Sequence, residues 1–246
     1  MQKMVKPKIG FKVWNIFYEG PNKINLNVME ITSKDKNFGF RKKDLGKIKK
    51  KLKGKYLSIH TQTKRVFTEK NNTLRDLEIA TLRVEILASA YLNCKELIVH
   101  LKEDKLTENE VKTFSEILEF SRKKNVEILY EPNGNFNGRN FLYNLSKFPK
   151  LNVNLDLCHL AMAVQNRSLG MDLNDFLDKV KDRVVYVHAS GYDDEEGHLP
   201  LHKGKLDWKA VLNKLNLSRI RKIIIELHNF EEFDKTRKQI EDYLKS

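Results

Sequence analysis

The sequence predicts an α/β fold, a (β/α)8 TIM barrel with a short first β/α unit, in which residues 1–246 form a single domain. Three observations carry this reading. Eight short runs rich in β-branched residues recur along the chain, and segments with apolar residues at helical spacing separate them. No Pro/Ser-rich linker, composition break or internal repeat interrupts the series.

The first run, KIGFKV (8–13), is followed after only WNIFYEGPNK by INLNVMEI (24–31), a gap that admits no more than a truncated helix. In KKDLGKIKKKLK (42–53) Leu45, Ile48 and Leu52 share one helical face, so its lysines read as a solvated side and not as a nucleic-acid patch. YLSIH (56–60), the helical LRDLEIATLRVEILASAYL (74–92), ELIVH (96–100), the helical ENEVKTFSEILEFSRKK (108–124) and VEILYE (126–131) continue the alternation. NGNFNGR (133–139) reads as an ordinary flexible βα loop, with Arg139 a candidate phosphate contact. LNVNLD (151–156), LNDFLDKVKD (173–182), VVYVH (184–188), KIIIE (222–226) and FDKTRKQIEDYLK (233–245) complete the series.

A hydrophobic content of 40% supports a substantial core and excludes a disordered chain. The balance of 46 basic to 33 acidic residues, net +13, permits a polyanionic partner without requiring one. Cys94 and Cys158 each lie in an apolar segment, which leaves no disulfide framework and no CxxC zinc site. The N-terminus has no long apolar targeting segment and no stretch reaches membrane-span length, so the expectation is a soluble, cytoplasmic protein with no membrane partner, and a monomer.

Function is written at the strand ends. The third to eighth runs terminate at His60, His100, Glu131, Asp156, His188 and Glu226, all side chains able to ligate a metal. In a barrel these ends form the face where active sites are built, so the six should converge. Alternation along each run puts Leu57, Ile59, Val99, Ile128, Val153, Leu155, Val185, Val187, Ile223 and Ile225 on the opposite, helix-facing side. Asp156 and His159 make a D-x-x-H pair at a strand-to-helix turn, and Glu196 and His198 stand two apart in a later loop where both could reach one cation. Pro200 argues against a helical His198–His202 pair. Mixed carboxylate and imidazole donors suit Zn or Mn over Ca, and Cys158 reads as core packing.

The order His60, His100, Glu131, Asp156-x-x-His159, His188, Glu196-x-His198, Glu226 resembles that of the endonuclease IV family (AP endonuclease family 2), within the superfamily of xylose-isomerase-like barrels. Local phrases FYEG (17–20), YLSIHT (56–61), HASG (188–191) and GHLPL (197–201) extend the resemblance over nearly the whole chain. It implies a (β/α)8 barrel holding two or three Zn ions, or Mn, that hydrolyses DNA at abasic sites. Carried over, His60 and His100 would bind a first ion and Glu131 would bridge it to a second, completed by Asp156, His188 and Glu226. His159 and His198 would hold a third, with Glu196 where the family has Asp. The segment after His60 lacks the family's DNA-contacting tyrosine, although Lys64 and Arg65 could touch phosphate. LKED (101–104) replaces the family's small residues, and Glu30 is closer to sugar isomerases.

Two enzymatic readings follow. In multinuclear phosphodiester hydrolysis of abasic DNA, Glu131 and Glu226 serve the metal-bound chemistry and His60, His100 and His198 are all required. In isomerisation or epimerisation of a small sugar phosphate, Glu131, Asp156, His188 and Glu226 hold one ion, while Glu131 and Glu226 flank the carbon that exchanges a proton. A metal-binding barrel without activity is the non-catalytic alternative. The residues His60 and His100 favour the endonuclease-like reading at this stage, with abasic DNA as the expected partner.

Overall fold

The computed structural model describes residues 6–13, 27–32, 40–62, 66–229 and 231–246. The strands β1 (Lys8–Val13), β2 (Val28–Thr32), β3 (Tyr56–His60), β4 (Glu96–Val99), β5 (Glu127–Tyr130), β6 (Asn152–Asp156), β7 (Val184–Ala189) and β10 (Lys222–Ile225) close into a barrel. A separate hairpin of β8 (Gly191–Tyr192) and β9 (Gly197–Leu199) follows β7. With helices between the strands this is the (β/α)8 fold. The short first β/α unit and the phrase FYEG fall outside the described residues, as do Lys64 and Arg65. Among the described residues no helix is long and apolar enough to cross a membrane.

The chain divides into two compact units, Phe11–Glu131 and Met1–Gly10 with Pro132–Ser246. In the first, parallel register sets Lys12 beside Glu30, Glu30 beside Ser58, and Ser58 beside Glu96, while Ile31, Ile59, Leu97 and Ile128 form the neighbouring aliphatic row. Helices α1 (Lys42–Lys51), α2 (Asn72–Leu92) and α3 (Glu108–Lys123) belong to this unit. Buried Leu45 and Ile48 anchor α1 and its lysines face outward, as the spacing predicts. A capping box starts α3: the Thr107 side chain accepts from the Glu110 N–H, and Glu110 accepts from the Thr107 N–H at 2.8 Å.

The second unit carries α4 (Gly138–Ser146), α5 (Leu157–Gln165), α6 (Leu173–Val180), α7 (Trp208–Lys214) and α8 (Phe233–Tyr243). Two of these, α4 and α7, escape the sequence reading, whereas the equally short α6 is read because Leu173, Phe176, Leu177 and Val180 keep helical spacing. The expected loop over 133–139 is corrected accordingly. Asn137 caps α4 by accepting from the Asn140 N–H at 3.1 Å, so Gly138 and Arg139 are its first helical residues. Arg139 is exposed and donates from Nε to the Gly170 carbonyl at 3.1 Å.

Candidate metal centre

Each unit carries its own group of metal-competent side chains at strand ends. In Phe11–Glu131, His60 is the last residue of β3, and His100 and Glu131 follow β4 and β5 directly. His60 Nε2 lies 3.6 Å from Glu131 Oε2, and His100 Nε2 lies 3.8 Å from Glu131 Oε1. The two imidazole rings are 5.0 Å apart between centroids. His60 Nδ1 is 3.3 Å from the Thr61 carbonyl and His100 Nδ1 is 3.1 Å from the Glu131 carbonyl. A proton donated there leaves Nε2 as the lone-pair nitrogen, turned to the carboxylate.

In the other unit the centre is His188. Its Nδ1 lies 2.8 Å from Glu226 Oε2 and 3.5 Å from Asp156 Oδ2, with all three side chains buried. Asp156 is also the N-cap of α5, accepting from the His159 N–H at 2.8 Å, so one residue ends a strand, starts a helix and aims its second oxygen inward. His159 Nδ1 sits 3.1 Å from the Pro132 carbonyl, again leaving Nε2 as the lone-pair nitrogen. His198 Nδ1 is 3.8 Å from Glu226 Oε1, and the His159 and His198 rings are 5.8 Å apart. His198 adopts φ +55°, a left-handed conformation held by its N–H on Cys158 Sγ at 3.3 Å and by the His228 N–H on its carbonyl at 3.3 Å.

The donor chemistry fits a divalent cation. Ligands about 2.1 Å from one tetrahedral ion are about 3.4 Å from each other. The His60–Glu131, His100–Glu131 and His188–Asp156 separations lie close to that figure. Ligand atoms of His60, His100 and Glu131 lie within 4.8 Å of one another, as do those of Asp156, His198 and Glu226. Two buried carboxylates, Asp156 and Glu226, within reach of one imidazole call for a compensating positive charge.

Glu196 stands apart from these groups. Alternation would place it with His198, but it lies exposed in the turn between β8 and β9, where its N–H donates to Asp193 Oδ1 at 2.9 Å. A turn does not keep strand periodicity, and its carboxylate joins no candidate group among the described residues. Cys158 is fully buried with Ala161 and Tyr192, and burial, then the charge of Asp156, pushes its thiol far above the ordinary range. It is core packing, as expected. Residues the sequence reading passed over include Lys12, buried with Nζ 3.6 Å from Glu30 Oε1, and His228, whose ring is 4.8 Å from that of His198. The alternation of β1 could have flagged Lys12. Nothing local could have flagged His228.

A family model described as xylose isomerase-like TIM barrel matches residues 8–246. A search of curated protein sequences found no match. Among solved structures, a D-tagatose 3-epimerase-like protein superposes with TM-score 0.78 at 20% identity, covering 97% of each chain. D-psicose 3-epimerase, solved in the presence of D-fructose, gives 0.67 at 14% identity over 97% of each chain. The 3-keto-D-glucoside 4-epimerase from E. coli gives 0.67 at 13% identity, covering 98% of this chain and all of that one. With a family match across nearly the whole length and the same barrel in each of these structures, this chain belongs to the xylose isomerase-like TIM barrel family.

Proposed function

We propose that this protein is a divalent-metal-dependent isomerase or epimerase of a small sugar or sugar phosphate. The observation that carries the reading is the Asp156–His188–Glu226 group, two carboxylates and one imidazole buried at adjacent strand ends. Its support from outside the chain is that structures sharing the fold include proteins named as sugar epimerases. This favours the sugar reading over the abasic-DNA reading expected from the sequence.

Asp156, His188 and Glu226 would hold the ion, with Mn or Zn the metals that suit such donors. The ion would polarise the sugar carbonyl and so acidify the adjacent C–H. In epimerisation one carboxylate would take that proton and the other would return one on the opposite face, the roles the sequence reading assigns to Glu226 and Glu131.

One observation keeps the hydrolase as a second reading. His60 and His100, grouped with Glu131, are donors that a mononuclear isomerase does not need. Metal-loaded protein incubated with a ketose panel in D2O separates the two. The sugar reading expects deuterium at the exchanging carbon, lost by about 100-fold or more in Glu226→Gln, with abasic duplex DNA left intact. Chelator-sensitive incision of that DNA, with no exchange into any ketose, would overturn it in favour of hydrolysis.

A further inference from the structure

Among the described residues, the large apolar side chains most exposed to solvent gather on one helix. Leu74, Leu77, Val84 and Leu87 of α2 are 47%, 61%, 41% and 46% exposed, and Ala80 between them is exposed as well. At 3.6 residues per turn these positions fall within an arc of about 140°. The opposite side of the same helix buries Leu82, Ile86 and Ser89. A helix apolar on both sides is one that expects a second covering layer.

The charges at the stripe's edge indicate what covers it. Asp76 and Arg83 are both exposed, lie on the same edge, and stand roughly equally far to either side of Ala80. We propose that this face is a self-association surface, on which α2 of a second copy packs antiparallel across a two-fold axis at Ala80. That operation sets Leu74 and Leu77 against Leu87 and Val84 of the second copy, and Asp76 beside Arg83 of the second copy, twice over. Such reciprocity is what an isologous interface requires. The small Ala80 at the crossing lets the backbones approach. An acidic helix or an anionic bilayer finds no net attraction on the stripe itself, where one Asp balances one Arg.

Size sets the strength. The stripe from Leu74 to Leu87 is about 20 Å long and about 10 Å wide, roughly 200 Å² per copy. The two copies together bury about 400 Å² there, below the roughly 1,000 Å² of a specific interface. The dimer is therefore reversible and concentration-dependent, where the sequence alone led to the expectation of a monomer. The net charge of +13 on each copy opposes it, so added salt strengthens it.

Sedimentation velocity of the full chain from low micromolar to about 1 mM tests the proposal. Dimer is expected at the upper end and more of it at higher salt. Leu77→Asp should raise the midpoint about 10-fold or more. Asp76→Arg and Arg83→Asp should each weaken association, and their combination should restore it to within about 3-fold of wild type. A monomer throughout, or a dimer indifferent to Leu77→Asp, overturns the surface. Failure of the double reversal to restore association overturns the antiparallel two-fold. Circular dichroism of each variant confirms that the fold is retained.

Discussion

His60, His100 and His159 share a local device: Nδ1 faces a main-chain carbonyl at 3.1–3.3 Å, which assigns the lone pair to Nε2. The ring is aimed by backbone, so its direction does not depend on the ligand being present. Cys158 illustrates the opposite outcome, a potential ligand withheld. Burial, then the Asp156 carboxylate, holds its thiol protonated well above the ordinary thiol range. In the unfolded chain the same thiol ionises near pH 8.5. Above that pH the unfolded state has released a proton that the native state keeps, so stability falls as pH rises. The contribution is up to about 1.4 kcal/mol per pH unit. Urea titrations at pH 7 to 10 should show this alkaline loss in wild type and a flatter profile in Cys158→Ala. An identical slope in both proteins would remove the thiol from the account.

Among the elements, the β8–β9 hairpin is the most tightly specified. A Cβ at Gly191 would lie 2.8 Å from the Gly204 backbone, and one at Gly204 would lie 2.7 Å from Gly191 Cα. The two glycines therefore allow segments thirteen residues apart to touch main chain to main chain. Gly191→Ala should cost about 2 kcal/mol, read from the urea midpoint. It should also impair turnover, because the hairpin carries His198. Wild-type stability in Gly191→Ala would show that the backbone can part without cost. Long elements were legible in the sequence: α2 and α3 announce themselves by periodicity. The helices α4 and α7 were not, since their existence rests on packing rather than on a repeated pattern.

For the whole molecule, a cation held by the clusters of buried carboxylate and imidazole would couple metal occupancy to folding. A cation bound only by the native state stabilises it by about 2.7 kcal/mol at 100 times its Kd. For a chain of this size that is a rise of roughly 5–10 °C in Tm. Calorimetry of the metal-loaded protein with and without chelator should show that drop. Substituting Asp156→Asn should reduce the difference sharply, and an unchanged Tm on chelation would separate these side chains from any structural ion.

Much of the site was visible before the fold, since six strands ending in His, Glu or Asp is a pattern of period two followed by a polar stop, and alternation within one strand is a local property. Strand–helix alternation likewise follows from neighbours along the chain, which is why the barrel could be read directly. Three features came only with the tertiary structure: the exposure of Glu196, the left-handed turn at His198, and the pairing of Lys12 with Glu30. Each depends on which distant segment supplies a hydrogen bond, a close backbone or an opposite charge, and these partners are set by packing between residues that sequence order does not bring together.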